Sequence, residues 1–159
     1  MPFDIADELR SIAIALNESQ IDYAVCGGLA LAIHGCPRAT EDIDILIREE
    51  DLDRISSLLR AKGFTVSAGP IPLGAGKENK LSIHRVMKLG ADDSLTVDLV
   101  LVPHFMEEIW RDREIVQAGD YDLSVVSLDG LKQMKRMSGR LHDLADIGRL
   151  EELEPDDGD

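Results

Sequence analysis

The sequence predicts an α/β (α+β) fold in which helices flank a mixed β-sheet. Segments with apolar residues at helical spacing alternate along the chain with short runs in which apolar and polar residues alternate. Two apolar runs, 81–89 and 95–102, are joined by a turn with the sequence GADD, which is typical of a β-hairpin. Hairpins interleaved with helices favour a sheet that contains both parallel and antiparallel neighbours.

The first third of the chain predicts two helices and two strands. Apolar residues at helical spacing predict an amphipathic helix over 5–17. The apolar run 23–26 predicts a buried strand, which ends at Gly27-Gly28. A short helix follows over 29–34, and the alternating isoleucines of 43–47 predict the second strand. The glycine pair is therefore expected at a strand-to-helix turn.

The middle of the chain predicts a helix, a short strand and a loop before the hairpin. The helix covers 52–62 and ends at Lys62-Gly63, a cation followed by a glycine, as helix C-termini commonly do. A short strand is predicted over 64–67. The glycine- and proline-rich stretch 70–80 then predicts a loop.

The last part predicts a weaker hairpin between helices. A brief helix is expected over 105–111, and strands over 115–118 and 123–126 form the second hairpin. Ser127 is a suitable N-cap for a helix that continues to residue 137. A short C-terminal helical segment is predicted over 142–152.

Length and composition are those of one globular domain. The chain has 159 residues, of which 44% are apolar and 30% charged, so we expect a single core over 1–152. Residues 153–159 are predicted to be an acidic, disordered tail. Cys26 and Cys36 are too few for a disulfide framework and are predicted to be reduced thiols packed near the glycine turn.

Charge and hydropathy exclude several classes of protein. The net charge of −14 argues against an extended nucleic-acid surface or an anionic-membrane surface, because both require clustered Lys and Arg. No run approaches the roughly 18 apolar residues of a membrane span. The acidic N-terminal sequence MPFDIADELR is unlike a signal peptide. We therefore predict a cytoplasmic protein.

Three acidic residues stand inside apolar strand sequences. Asp42 and Asp44 are two residues apart and therefore point to the same face of their strand, while the isoleucines between and after them point to the core. Asp98 lies in the strongly apolar run SLTVDLVLV. If the two strands are neighbours, three carboxylates converge and repel one another. A hard divalent cation such as Mg²⁺ would relieve this repulsion, and such a site suits attack on a phosphorus centre.

The Gly27-Gly28 turn predicts an anion site beside these acids. Backbone N–H groups at a glycine turn that opens a helix can bind phosphate, and no Cβ obstructs the approach. Each signal has a simpler explanation, because glycines often serve turn geometry alone, an acid pair is usually solvated, and Asp98 could pair with an arginine. We favour the functional interpretation because the three signals occur together.

The arrangement resembles the signature of the DNA polymerase beta superfamily of nucleotidyltransferases. Gly27-Gly28 is followed, after thirteen residues, by Asp42-Ile43-Asp44-Ile45 and later by Asp98. The segments GGLALAIHGCPRATEDIDILI and LKQMKRMSGRLHDLADI are most similar to a small bacterial branch. That branch includes AbiEii-type toxins of type IV toxin–antitoxin systems and lincosamide-type antibiotic nucleotidyltransferases.

The resemblance implies a role for each matching residue. Asp42 and Asp44 would bind a pair of Mg²⁺ (or Mn²⁺) ions. Asp98 would hold the catalytic metal and help to activate the attacking hydroxyl. Gly27 and Gly28 would bind the β- and γ-phosphates of an NTP through their backbone.

Further residues match the branch outside the acidic strands. Arg38 and Thr40 occupy the loop that enters the acidic strand, where Thr40 has either a structural or a nucleotide-binding role. Lys135 matches a lysine that could reach the triphosphate. Arg140, Asp143 and Asp146 match the pattern GR-x-x-DLxDI over 139–147 and are interpreted as helix-to-helix ion pairing.

Two groups of lesser candidates are expected to have no catalytic role. Lys77, Lys80 and Arg85 lie in or near the glycine-rich loop, where they either steer an anionic ligand or are simply solvated. The four histidines have no metal-ligand spacing and are interpreted as surface or packing residues; His34 is the nearest to the site.

The leading hypothesis is a Mg²⁺-dependent nucleotidyltransferase that moves an NMP from an NTP to a hydroxyl of a small molecule, an RNA or a protein. The chain holds little beyond a catalytic core, so a second copy or a partner subunit completes the site, or the acceptor is small. The alternatives are a non-catalytic nucleotide-binding or toxin–antitoxin interaction protein, and a structural role in which the acids pair with Arg38, Lys135 and Arg140.

Overall fold

The computed structural model describes residues 3–36, 40–73 and 81–138. Within these ranges the strands are β1 (Ala24–Cys26), β2 (Asp42–Ile47), β3 (Phe64–Leu73), β4 (Leu81–Leu89), β5 (Ser94–Leu101), β6 (Glu114–Ala118) and β7 (Tyr121–Val125). The helices are α1 (Ile5–Glu18), α2 (Gly27–Ile33), α3 (Leu52–Ala61), α4 (Glu107–Arg111) and α5 (Leu128–Ser138). Single 3₁₀ turns, Glu49–Asp51 and His104–Met106, precede α3 and α4.

The seven strands form one mixed sheet in the order β3-β4-β5-β2-β1-β7-β6. The pairs β2–β5 and β1–β7 are parallel, and the other neighbouring pairs are antiparallel. The predicted mixed sheet with flanking helices is therefore confirmed. The strands that carry the three acids, β2 and β5, lie side by side in the interior of the sheet.

Alternation along β2 and β5 creates the core. Ile43, Ile45 and Ile47 are completely or almost completely buried, as are Val97 and Leu99 on the neighbouring strand. Helix α1 contributes a buried apolar face to the same core and is capped at its start by Asp4, whose carboxylate accepts hydrogen bonds from two backbone N–H groups. No helix in the described ranges is both long enough and apolar enough to cross a membrane.

Strand β3 is longer than the sequence predicts. The predicted loop begins at residue 70, but the chain stays extended and paired with β4 as far as Leu73. Pro70 and Pro72 are tolerated there because β3 is the edge strand, where a missing N–H need not cost a ladder hydrogen bond, and the register shifts between Ala68 and Ile71. The prediction of a loop over 70–73 is thus wrong. Residues 74–80, with Lys77 and Lys80, lie outside the described residues.

The other predicted turns and caps agree with the structure. Gly90 N–H donates to the carbonyl of Asp93 at 2.8 Å and closes the β4–β5 hairpin. The Ser127 hydroxyl accepts from Gly130 N–H at 3.0 Å, which confirms Ser127 as the cap of α5. The helix predicted over 142–152 and the tail over 153–159 lie outside the described residues.

Trp110 of α4 is packed where β2 ends. The guanidinium groups of Arg48 and Arg113 lie 5.2 Å and 4.3 Å from the centre of its ring. Arg48 also forms a bidentate ion pair with Glu107. The indole is only 5% exposed. This cluster fixes α4 against the carboxyl end of β2.

Candidate active site

The register of β2 and β5 brings the three predicted acids to one face of the sheet. Asp44 and Asp98 are direct partners on these parallel strands, and Asp42 is the partner of Thr96. Because side chains two residues apart share a face, Asp42 lies on the same side as the Asp44–Asp98 pair. The carboxylates were expected to converge if their strands are neighbours, and β2 and β5 are neighbours in the sheet.

The three acids differ in their access to solvent. Asp42 is exposed at the start of β2, Asp44 is half-buried, and Asp98 is 6% exposed in the middle of β5. The three acids form a patch, called the acidic patch, which is open to solvent at Asp42 and closed to it at Asp98. A ligand that reaches it from solvent meets Asp42 first.

Gly27 lies against the Asp44 carboxylate. Strand β1 is antiparallel to β2, with Cys26 opposite Asp44, so the first residue of α2 follows directly beside that side chain. Gly27 has φ +66°, and a Cβ built there would lie 2.2 Å from Asp44 Oδ2. Only glycine can adopt this positive φ and also leave room for the Asp44 carboxylate without strain. Gly28 is the next residue in the first turn of α2.

Arg85 of β4 places a positive charge at this patch. It is the cross-strand partner of Asp98 and binds it in a bidentate ion pair, with Nε–Oδ1 at 2.8 Å and Nη2–Oδ2 at 3.0 Å. The hydrogen bond and charge of Asp98, and then the charges of Asp42 and Asp44, raise the pKa of Arg85. The sequence interpretation grouped Arg85 with the loop lysines and missed this contact.

A signal for this contact is present in the sequence. If the GADD turn places residue 89 opposite residue 94, then counting back along both strands places Arg85 opposite Asp98. The alternative structural reading named Arg38, Lys135 and Arg140 as partners of the acids. Within the described ranges Asp98 pairs with Arg85, which that hypothesis did not name.

Burial and mutual repulsion change the protonation of groups around the acids. Partial burial of its carboxyl, followed by repulsion from Asp98, raises the pKa of Asp42, and attraction by Arg85 opposes this. Burial, with smaller contributions from Asp44 and Asp98, strongly raises the pKa of the Cys26 thiol. Lys135 of α5 opposes that shift, so its charge acts on the same patch.

Most of the remaining predicted residues have structural contacts. The Thr40 hydroxyl donates to the backbone carbonyl of Asp42 at 3.2 Å, and His34 contacts the Val126 carbonyl through Nε2 at 2.9 Å, as expected of a packing histidine. Cys26 and Cys36 are buried free thiols, as predicted. Arg38 and the segment 140–146 lie outside the described residues.

The donor chemistry of the patch fits a hard divalent cation. Carboxylate oxygens are the ligands that Mg²⁺ and Mn²⁺ prefer, and a cation would relieve the repulsion between Asp42 and Asp98. Among the described residues, no group of three or more His, Cys, Asp or Glu side chains is already gathered around one metal position. Arg85 is the group that neutralises Asp98 in this arrangement.

Asp42→Asn should stabilise the metal-free protein at neutral pH. The pKa of Asp42 is higher in the folded protein than its value of 3.8 in the unfolded chain. Ionised Asp42 therefore destabilises the folded protein at neutral pH, and this cost disappears once the pH falls below 3.8 and the carboxyl is protonated in both states. The gain in melting temperature should therefore shrink as the pH is lowered toward 4. Circular dichroism melts between pH 4 and 8 in EDTA measure it, with Asp92→Asn in the exposed hairpin turn as control. A variant less stable than wild type at pH 7 would contradict this expectation.

Comparison with known proteins gives one family. The chain matches the family model described as "Uncharacterised nucleotidyltransferase" over residues 3–131. A comparison with curated proteins found no match.

Solved structures share the fold at low sequence identity. A Thermotoga maritima protein assigned as a nucleotidyltransferase has 17% identity and a TM-score of 0.62, with 91% of each chain covered. ANT(2″)-Ia in complex with adenylyl-2″-tobramycin has 13% identity and a TM-score of 0.54, covering 91% of this chain and 85% of that one. JHP933 from Helicobacter pylori has 15% identity and a TM-score of 0.51, covering 92% and 64%.

Proposed function

The chain belongs to the nucleotidyltransferase family that its sequence matches, and from this premise we propose that it transfers an NMP from an NTP to a hydroxyl acceptor in a reaction that depends on Mg²⁺ or Mn²⁺. One observation carries the proposal. Asp44 and Asp98 are paired on parallel strands with Asp42 on the same face, and ionised Asp42 is disfavoured there. A bound divalent cation would offset the charges that these three acids bring together.

Asp42, Asp44 and Asp98 are the proposed ligands of the divalent cation. When bound, the cation would neutralise the charge that develops on the transferred phosphoryl group and its leaving group. Asp98, as the most buried acid, orients the acceptor hydroxyl and takes up its proton. The acceptor oxygen then forms a bond to the α-phosphorus, the bond from that phosphorus to the β-phosphate oxygen breaks, and pyrophosphate leaves.

The phosphates of the NTP are assigned to the turn beside Asp44. Backbone N–H groups of Gly27 and Gly28 are proposed to bind the β- and γ-phosphates, and the charge of Lys135 acts on the same region. Arg38 and Thr40 remain proposed nucleotide-binding residues from the family resemblance. For Thr40 the hydrogen bond to Asp42 O supports a role in shaping the strand entrance.

The acceptor class is proposed from two comparisons. ANT(2″)-Ia, which shares the fold, is bound to adenylyl-2″-tobramycin, and the sequence resemblance is to lincosamide-type enzymes and AbiEii-type toxins. Hydroxyls of amino sugars and of RNA are therefore the first acceptors to test. We propose that one domain over 1–152 acts in the cytoplasm, where NTPs are available, and that either a second copy or partner subunit supplies part of the acceptor site or the acceptor is small.

One observation favours a second candidate, a non-catalytic nucleotide-binding or toxin–antitoxin interaction protein. Both oxygens of Asp98 are already hydrogen-bonded to Arg85. In a scaffold protein this pair would be permanent. Such a protein would bind NTPs without a requirement for metal.

Isothermal titration distinguishes the two candidates. Each of the four NTPs is titrated into the full-length protein with Mg²⁺ and then with EDTA. We expect at least one NTP to bind only with metal, and Asp42→Asn/Asp44→Asn to weaken it by about a hundredfold or more, since several kcal/mol of charge neutralisation are lost. Asp53→Asn/Asp92→Asn removes the same charge from other surfaces and is the control. Binding that survives EDTA, or no binding at all, would refute the enzymatic proposal.

A further inference from the structure

Resting on the proposed function, we propose that Arg85 is a positioning residue that competes with the divalent cation for Asp98. Arg85 holds Asp98 when no metal is present and has to leave at least one of its oxygens when a metal binds. The role was not assigned by the sequence motif, which contains only the acids and the glycine turn.

The geometry of the ion pair indicates that Arg85 competes with a metal for Asp98 rather than assisting metal binding. The guanidinium binds side-on through Nε and Nη2, so each Asp98 oxygen already accepts a charge-assisted hydrogen bond. The Asp98 side chain is only 9% exposed, so little of its surface is open to a second cation while Arg85 is bound. A metal on Asp98 would also lie next to a like charge, which is unfavourable in a partly buried site.

The two partners differ in their freedom to move. Asp98 is held in the interior of the sheet between β2 and β4. The Arg85 side chain is 44% exposed and has a long, flexible stem, so it can rotate into solvent without disturbing the core. Arg85 is therefore the partner that moves, and Asp98 stays in register with Asp44.

Competition has a functional consequence. Asp42, Asp44, Asp98 and Arg85 together carry a formal charge of −2, instead of the −3 of the acids alone. The patch is then partly neutralised between turnovers, and free metal binds weakly. The remaining affinity comes from the nucleotide, so metal and NTP are expected to bind together.

The test is Mn²⁺ binding to the full-length protein without nucleotide, measured by calorimetry and by electron paramagnetic resonance. Arg85→Gln should bind Mn²⁺ ten- to a hundredfold more tightly than wild type, because a charge-assisted bidentate pair no longer has to be broken. Arg85→Lys retains the positive charge but not the pair of parallel N–H donors of the guanidinium. It should also bind more tightly than wild type, by a smaller factor, and it serves if Arg85→Gln does not fold.

Two controls isolate the contact. Arg10→Gln breaks a second bidentate Arg–Asp pair, with Asp120 on the exposed surface, and should leave Mn²⁺ affinity unchanged. On an Asp98→Asn background, Arg85→Gln should produce no tightening, because the oxygen pair for which the two cations compete is gone.

The outcomes separate this proposal from the proposed function. If wild type binds Mn²⁺ through Asp98 and neither Arg85 variant binds more tightly, competition is refuted while the metal-dependent enzyme stands. If neither wild type nor the Arg85 variants bind Mn²⁺ without nucleotide, competition is refuted, and the proposed function is decided separately by the titration of NTP with metal. Tightening that persists on the Asp98→Asn background would also refute the role, because the effect would not act through Asp98.

Discussion

Asp98→Asn should reduce nucleotide transfer by about a thousandfold or more while the protein remains folded. Asparagine keeps the shape of the side chain and one acceptor oxygen, but it loses the charge that is proposed to hold the metal and the basic oxygen that takes up the hydroxyl proton. A loss of about 4 kcal/mol of transition-state stabilisation corresponds to a thousandfold in rate. Label transfer from α-phosphorus-labelled NTP to the acceptors found in a screen measures the effect.

The structural cost of the same change should be smaller. One bond to Arg85 can persist, and the guanidinium is partly exposed, so we expect a loss of about 1–2 kcal/mol in the free energy of unfolding. Asp120→Asn is the matched control, since Asp120 also forms a bidentate pair with an arginine, Arg10, but on the outer surface. It should keep full activity. Turnover by Asp98→Asn at the wild-type rate would end the mechanism proposed for this residue.

Gly27→Ala should impair both folding and ligand binding. The alanine would have to adopt φ near +66° and would place its Cβ 2.2 Å from Asp44 Oδ2. The left-handed conformation costs about 1–2 kcal/mol, and a clash in a packed region costs about 1–3 kcal/mol more. Displacing Asp44 by about 1 Å should weaken metal-dependent NTP binding by about a hundredfold.

Gly119→Ala separates the two effects of that substitution. Gly119, in the turn between β6 and β7, has φ +69°, yet a Cβ built there meets no atom within 4 Å. It should therefore show the backbone cost of about 1–2 kcal/mol and normal NTP binding. Denaturant unfolding gives the stabilities and calorimetry the affinities. If Gly27→Ala behaves like Gly119→Ala in both assays, the close approach to Asp44 has no functional weight.

The face on which the acids lie could be predicted from sequence because it depends only on local periodicity. A strand places residues two apart on one side, so Asp42 and Asp44 had to lie together and opposite the buried isoleucines. Their meeting with Asp98 depended on strand order, which periodicity does not determine. The family resemblance implied only that the three acids bind the same ions, and the parallel β2–β5 pair places Asp44 beside Asp98.

Two contacts of the site and one feature of the fold could not be predicted from local periodicity. The Gly27–Asp44 contact depends on the antiparallel register of β1 and β2, which are joined by a long connection without a tight turn to fix the pairing. The Arg85–Asp98 pair follows from counting back along the β4–β5 hairpin rather than from periodicity, and it was overlooked because Arg85 was grouped with the nearby loop lysines. The extension of β3 through Pro70 and Pro72 conflicts with the usual meaning of proline, and only the edge position of the strand explains it.

The packing of Trp110 against two arginines has a practical consequence for all the variants. It is the single tryptophan of the chain, so the indole emission arises from one buried environment. Arg48 follows the last residue of β2 and Asp42 is the first, a separation of about 20 Å at roughly 3.3 Å per residue. A cation or nucleotide at Asp42 should leave the emission maximum in place, whereas unfolding should shift it to the red. One optical signal therefore separates a variant that has lost its ligand from one that has lost its fold.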